Sequence, residues 1–500
     1  MIVVEKIYEF ALRTPDRAAV VYNNKAYGFA DFYRLIAGTR RLLQTFDLKR
    51  GTVAAVWVYN LFDGWVLNLA FRSLGLTTIA IGSADEASAF DPSFLGCVIR
   101  TKREVVGDPT AGLPGGTKLI LLSGDVEVTP PGAPLDAPPA DMPDGGHILQ
   151  TSATTGVYKK VWLEPRQQLK SLLATIASYE REAPDVAGDQ ERLANILSFG
   201  LWTASGYNTP LACWVVGNGV VIYQNADPWR SFDYPGITHA VLTPSFLRAI
   251  VDAPEGELAP HPDVQVVVVG GALSLPLARK VRERLTPKIA ISLGSTEGGS
   301  WAITPVIADE DLRFHRLHPG RVVQVVGDDD RPLPPGQLGH LRVNIDQSTA
   351  REYLGDADSS AAVFRDGWVY PGDLAVMRQD GRLSLHGRAT EVINILGDKH
   401  PTEPYERGIQ EALEAEDVCV FALPGSDGDE LHVVIQTRTP IAPDTLKAAI
   451  DKILYGFPRA HVHFVEALPR NHMGKVLRLQ LKADLIARGV TPDTPAHHRS

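Results

Sequence analysis

Cysteine is scarce: the 500-residue chain has three, Cys97, Cys213 and Cys419, far apart and with no CxxC pair. That spacing excludes a disulfide framework and a thiolate zinc site, and it suits a reducing compartment. Long apolar runs are missing as well. The longest, from Leu211 to Tyr223, is broken by Gly217-Asn218-Gly219, and a membrane span needs ~20 residues. Met1 to Leu12 mixes charges among its apolar residues, unlike the unbroken core of a signal peptide. Positive charge is also short, with 49 Lys+Arg against 59 Asp+Glu and a formal net charge of −10. General binding to nucleic acid or to an anionic membrane is thereby disfavoured, although a local basic cleft could still hold a nucleotide. A cytoplasmic protein with no membrane span and no nucleic-acid partner is expected.

What is present is ordinary for a globular chain, 44% hydrophobic and 22% charged. The length exceeds what one hydrophobic core serves, so two or more domains are expected. Up to residue 146, helical and strand patterns alternate. Phe29 to Phe46 carries apolar residues at helical spacing, Val53 to Tyr59 is β-rich, Gly64 to Leu74 is helical and Thr77 to Ile81 strand-like. Such alternation with short joints argues for an α/β fold, a mostly parallel sheet covered by helices. Gly124 to Gly146, dense in Pro, Gly and Asp, reads as a surface connection.

It leads into Leu-Gln-Thr-Ser-Ala-Thr-Thr-Gly-Val-Tyr-Lys-Lys-Val-Trp-Leu, residues 149–163. Ile148-Leu149 and Val161-Trp162 read as short strands flanking a turn. The hydroxyls of Thr151, Ser152, Thr154 and Thr155, the open backbone at Gly156 and a lysine are the makings of a phosphate cradle. Taken alone, these residues fit a polar hairpin tip equally well.

Further on, Arg166 to Glu182 is a helix candidate, and Ala194 to Phe199, Gly219 to Tyr223, His239 to Leu242 and Val264 to Val269 are strand-like. The last is apolar on nearly every residue, as a central parallel strand should be, and it enters Gly270-Gly271-Ala272 before a helix at Pro276 to Leu285. A ligand crevice is expected at the carboxyl ends of such strands, although a tight turn explains the glycines by themselves. The next strand, Lys288 to Leu293, ends in Gly294-Ser295-Thr296-Glu297-Gly298-Gly299, where a carboxylate beside a hydroxyl could hold Mg²⁺ or cap a helix. From Val322 short strands and turns, Gly367 to Tyr370 among them, describe a small β-subdomain. It contains Tyr370-Pro371-Gly372-Asp373-Leu374 and then Gly387-Arg388. Residues 392–500 form a separate α/β unit ending near Leu468-Pro469-Arg470-Asn471-His472-Met473-Gly474-Lys475-Val476-Leu477-Arg478.

Taken in order, these stretches resemble the motifs of the adenylate-forming superfamily: acyl- and aryl-CoA synthetases, luciferases and nonribosomal adenylation domains. Residues 151–160 are similar to its Thr-Ser-Gly-Thr-Thr-Gly-x-Pro-Lys-Gly loop, departing at Ala153, Tyr158 and Lys160. Lys159 is then the phosphate lysine by position, with Lys160 a possible substitute. Residues 293–297 resemble Tyr-Gly-x-Thr-Glu, with Leu293 in place of an aromatic that lies against adenine, as in some benzoate-type ligases. Asp373 falls where the family's aspartate accepts from both ribose hydroxyls, and Arg388 where its arginine reaches ribose and phosphates. Lys475 falls where a lysine bridges the carboxylate substrate and the α-phosphate. These motifs, in the correct order, cover the chain from the first loop to Arg478.

The resemblance implies a large N-terminal AMP-binding domain over 1–386, a hinge over 387–391 and a mobile C-terminal domain over 392–500. The usual pivot, Asp or Lys, is Thr390 here, and Gly397 falls where the pantetheine arm passes. Lys475, Glu297 and Lys159 are the implied catalytic residues, with Mg²⁺ carried to Glu297 on ATP. Thr151, Ser152, Thr154, Thr155, Gly156, Gly270, Gly271, Ala272, Gly294, Ser295, Thr296, Asp373, Arg388 and Gly397 are the implied cofactor-binding residues. Trp202, Thr203, Tyr207, Leu293, Gly298 and Trp301 would line a substrate pocket, although core packing explains the aromatics equally well. Phe199 to Tyr207 holds no aspartate to bind an amino acid's ammonium, so an uncharged aromatic or medium-chain carboxylate is favoured. The expected partners are that carboxylate, ATP and CoA, in a monomer or homodimer. Two other readings remain open: a ligase loading a phosphopantetheinylated carrier protein, and a non-catalytic adenylate-binding sensor.

Overall fold

The computed structural model describes residues 1–90, 93–122, 135–151, 158–165, 167–170, 172, 192–395, 398–425, 428–471 and 475–487. Two sheets dominate the first three hundred residues. One takes the spatial order Leu119–Leu122, Leu95–Thr101, Val53–Trp57, Thr77–Ala80, His147–Thr151, Lys159–Leu163. Its neighbours are parallel except the last pair, which is antiparallel. The second runs Gly299–Pro305, Ile289–Ser295, Gln265–Val268, Ile237–Leu242, Leu193–Leu197, Gly219–Ile222, Ala18–Tyr22, Lys25–Gly28. It is parallel in the middle and antiparallel at both ends.

The N-terminal part therefore does not form one self-contained sheet. Ala18–Tyr22, buried along nearly its whole length, pairs with Gly219–Ile222 about two hundred residues away. A short apolar run of this kind can enter any parallel sheet, and local pattern does not say which.

Between the sheets lie the helices Phe29–Gln44, Leu61–Arg72 and Ala204–Val215. Every residue of Leu61–Arg72 is buried, as expected of a helix that is apolar nearly all round. Asn60 caps its start, accepting from the Phe62 and Asp63 amides at 2.9 and 3.1 Å. A second core packs the helices Pro244–Val251 and Leu275–Arg284 against the second sheet. The helix expected over 166–182 lies largely outside the described residues.

A six-stranded antiparallel sheet follows, holding Val323–Val326, Leu338–Asn344, Asp373–Met377 and Leu383–Arg388, with the strand expected over 367–370 reduced to Trp368–Val369. From Ile393 on, the apolar clusters draw on no earlier residue. The three-stranded sheet Asp417–Gly425, Gly428–Gln436, His461–Val465 carries Glu403–Leu413 and Pro443–Ile453 on one face and Arg478–Ala487 on the other. Polar contacts tie this part to the rest: Arg313 to Glu411, Arg438 to Asp252 at 3.7 Å, and Arg248 to the Glu416 carbonyl at 2.7 Å. All three cysteines are buried free thiols. The result is an α/β fold with several sheets.

Candidate active site

His147–Thr151 and Lys159–Leu163 pair with Thr151 opposite Lys159, so the two expected flanking strands are present. Ser152, Ala153, Thr154, Thr155 and Gly156 lie outside the described residues. Consecutive strand residues face opposite ways, and this separates the two lysines. The Lys159 ammonium lies 4.8 Å from the centre of the Tyr353 ring. Lys160 turns to the other face, 4.6 Å from the Phe90 ring, opposite Gln150, whose amide reaches Glu86 at 2.8 Å. Burial lowers the Lys160 pKa while Glu86 opposes the shift. Lys160 is thus committed elsewhere.

Because Leu193–Leu197, Ile237–Leu242, Gln265–Val268 and Ile289–Ser295 run parallel, their carboxyl ends share one edge of the sheet. Gly270, Gly271 and Ala272 are exposed there, Gly270 with φ +77° and Gly271 against the Pro244 ring. Gly294 sits where a Cβ would meet the Gly299 carbonyl oxygen at 2.6 Å, so the hairpin closes only on glycine. Ser295 Oγ accepts from the Gly298 amide at 3.0 Å, and Thr296 is half-buried. These close Glu297 into a fixed turn. Its side chain is buried, with Oε1 accepting from the Tyr353 hydroxyl at 2.7 Å. Burial, and after it Glu297, pushes the Tyr353 hydroxyl above its ordinary value, so it stays a donor.

Asp373 and Arg388 are register partners on adjacent antiparallel strands, with Nε to Oδ1 at 3.2 Å. Arg388 also donates to the Pro371 carbonyl. Gly372 and Gly387 beside them have φ of +85° and +96°. Burial raises the Asp373 pKa against the pull of Arg388 and Lys475.

Lys475 comes from the far end of the chain. Its amide donates to Asn471 Oδ1 at 3.0 Å, the Asn471 amide donates to its carbonyl at 3.0 Å, and Leu477 donates to Pro469 at 2.8 Å. Asn471 and Lys475 are therefore held against each other by two hydrogen bonds. Lys475 keeps access to solvent. Desolvation is still the largest influence on its ammonium, and with Arg388 it lowers the pKa while Asp373, Glu297 and Glu391 oppose. Arg478, three residues on, is anchored by Glu406 at 2.6 and 2.8 Å and by Glu391 at 3.4 Å. Asp373, Arg388 and Glu297 thus lie near enough for their charges to act on the Lys475 ammonium. Gly397 lies outside the described residues.

The expected pocket needs correction at two aromatics. Tyr207 is fully buried between His147, 4.0 Å away centre to centre, and Trp65 at 5.4 Å, and its hydroxyl meets Arg72. It has no face left for a ligand. Trp301 is likewise buried, packed with Val323, Leu341 and Leu383 against the β-subdomain. Thr203 spends its hydroxyl as a helix cap, accepting from Gly206 at 3.0 Å, and Gly298 is buried. Trp202 and Leu293 are partly accessible. Sequence reasoning missed Tyr353 and Glu391. An aromatic among Arg351, Glu352, Gly355 and Asp356 is the only local sign of the first, and its contacts come from remote strands.

Lys159 and Glu297 on the same tyrosine, with the Asp373–Arg388 pair and Lys475 further along the chain, bring together charges of both signs, and the fold is that of the adenylate-forming superfamily. Residues 98–354, just over half of the chain, match the AMP-binding enzyme family, and the chain belongs to that family. It is 26% identical to 4-coumarate–CoA ligase-like 6 of Oryza sativa subsp. japonica, covering 91% of this chain and 81% of the relative. It is 25% identical to the 4-chlorobenzoate–CoA ligase of an Arthrobacter species, over 93% and 92%. The structure of o-succinylbenzoate CoA synthetase from Bacillus subtilis with its acyl-adenylate intermediate matches with a TM-score of 0.76 at 19% identity, covering 96% of this chain and 98% of that one.

Proposed function

We propose that this protein activates an uncharged aromatic or medium-chain carboxylate with ATP and then forms its CoA thioester. The observation that carries the reading is the Asp373–Arg388 pair, 3.2 Å apart on adjacent strands, with Lys475 and Glu297 from two other parts of the chain near enough for their charges to act on it. The CoA acceptor and the aryl substrate class are supported by the names of the relatives, and the substrate class also by Leu293 and by the lack of an acidic residue over 199–207.

In the first step a carboxylate oxygen attacks the α-phosphorus, the α–β anhydride bond breaks and pyrophosphate leaves. No general base is needed, because the carboxylate is ionised at neutral pH. Lys159 and the donors of the 151–156 loop hold the triphosphate, Asp373 takes the ribose hydroxyls, and Arg388 reaches ribose and phosphate. Lys475 offsets the charge that develops between carboxylate and phosphorus.

Glu297 fits a magnesium ion: it offers a hard oxygen, held in orientation by Tyr353, beside Thr296. When bound, the ion neutralises charge on the triphosphate.

In the second step the thiolate attacks the acyl carbonyl and AMP leaves. The C-terminal domain, 392–500, pivots over 387–391 between the steps. A cytoplasmic monomer or homodimer is the proposed form; no helix of the described residues is long and apolar enough to cross a membrane.

The test is carboxylate-dependent exchange of labelled pyrophosphate into ATP, across benzoates, arylpropenoates and fatty acids of graded length, followed by CoA. Exchange with one class and thioester on adding CoA supports the reading. ATP binding with silence across the panel would replace it with a sensor, and transfer only to a phosphopantetheinylated protein with a carrier ligase.

A further inference from the structure

Lys159 and Glu297 both touch the same side chain, yet among the described residues no ion pair within 4.0 Å joins either of them to a partner. Lys159 lies over the face of the Tyr353 ring, 4.8 Å from its centre, and Glu297 takes the hydroxyl at the ring's far end, 2.7 Å away. At the reduced dielectric of a half-buried site, a lysine and a glutamate free to meet would pair strongly. A pair of that kind would consume the cation a phosphate needs and the carboxylate a phosphate-borne magnesium needs.

The phenol is itself packed on several sides. Tyr353 is 5% exposed, its ring is edge-on to Phe364 at 5.3 Å, and its amide donates to Ser360 Oγ at 2.8 Å. Ser360 belongs to the short helix Ala357–Val363, capped by Asp356. The cation sits on the ring's electron-rich face and the anion at its acidic hydroxyl, so each charge meets the part of the phenol that favours it.

We propose that Tyr353 is a positioning residue of the triphosphate site, a spacer that keeps Lys159 and Glu297 apart and aimed until ATP arrives with its magnesium. The inference rests on the adenylation reading. It is tested by calorimetric titration of the full chain with ATP in EDTA, MgATP and AMP.

Tyr353→Leu removes the spacer. ATP in EDTA and MgATP should each bind at least tenfold more weakly, while AMP, which engages the Asp373–Arg388 side, stays within threefold. Tyr353→Phe keeps the ring, so ATP in EDTA should bind within threefold of wild type while more magnesium is needed for full MgATP affinity. Adding Glu297→Gln to Tyr353→Leu frees Lys159, and affinity for ATP in EDTA should recover towards wild type. That rescue by a second substitution is something a merely structural tyrosine would not allow. Equal weakening of ATP and AMP, an unchanged ATP affinity in Tyr353→Leu, or no rescue in the double variant overturns the spacer and leaves the adenylation reading standing. A wild-type protein that binds neither nucleotide removes both.

Discussion

Replacing Lys475 with alanine is the sharpest probe of the cluster. Around the proposed reaction centre stand three cations, Lys475, Arg388 and Lys159, and three carboxylates, Asp373, Glu297 and Glu391. The group is close to neutral before ATP brings its own negative charge, and losing one cation leaves a net repulsive field. A unit charge ~4 Å from a developing negative charge is worth about 4 kcal/mol at an effective dielectric of ~20. Water reaches Lys475, so screening trims that figure. The loss of one preorganised donor from a transition-state site costs roughly 2.7–4 kcal/mol, or 10²–10³ in rate, and pyrophosphate exchange should fall by about that factor. Transfer of acyl from a presynthesised acyl-adenylate to CoA should stay within roughly threefold, because in that step the bond forms at the acyl carbon and the α-phosphorus is not attacked.

The direction of the Lys475 shift adds a pH signature. Its ammonium is held below the ordinary value of 10.5, first by desolvation and then by Arg388. The protonated form is the active one and predominates below that lowered pKa. Wild-type exchange should therefore decline on the alkaline side earlier than a free lysine would, and Lys475→Ala should lose that limb. Exchange within fivefold of wild type in Lys475→Ala, or equal damage to both steps, would refute the assignment.

Two further substitutions probe the supports of the cluster. Gly387 has φ +96°, and a Cβ there would lie 3.1 Å from the Glu403 Cβ; Gly387→Ala should cost about 1–3 kcal/mol of backbone strain and lower exchange by displacing Arg388, and a variant that melts and exchanges like wild type contradicts this. His147 is wholly buried, its Nδ1 2.8 Å from Thr78 Oγ1 and its Nε2 2.9 Å from the Leu201 carbonyl, and burial lowers its pKa from 6.5 to about 3. Below pH 6.5 the unfolded chain takes a proton that the folded one refuses, so stability is lost as pH falls from about 6.5 towards 3. The loss from this group between pH 7 and pH 5 is about 2 kcal/mol. Urea titrations at the two pH values should show His147→Asn losing less stability on acidification than wild type; an equal loss in both places the acid sensitivity elsewhere.

What could be seen in the chain beforehand divides along a physical line. Helices such as Phe29–Gln44 and Leu275–Arg284 and buried strands such as Gln265–Val268 carry their period locally, and each appears within a few residues of its expected place. The assignment of Ala18–Tyr22 to a sheet does not, because five apolar residues specify burial and not a neighbour. The candidate site divides in the same way. Thr151, Lys159, Glu297, Asp373, Arg388 and Lys475 each sit on a turn or strand end with its own composition, so their order along the chain was readable.

Position along the motif put Lys159 first and left Lys160 as a possible substitute, and the sequence did not show how the two side chains are separated. One face of the strand looks at Tyr353 and the other at Phe90, and both aromatics come from distant segments. Tyr207 and Trp301 failed for the converse reason. An aromatic beside a crevice and an aromatic under it have the same local sequence, and only Arg72, Trp65 and His147 closing over Tyr207 distinguish them. In this chain the turns reveal where chemistry can occur, while the long-range packing around Tyr353 and Tyr207 determines which neighbouring side chains are left free to carry it out.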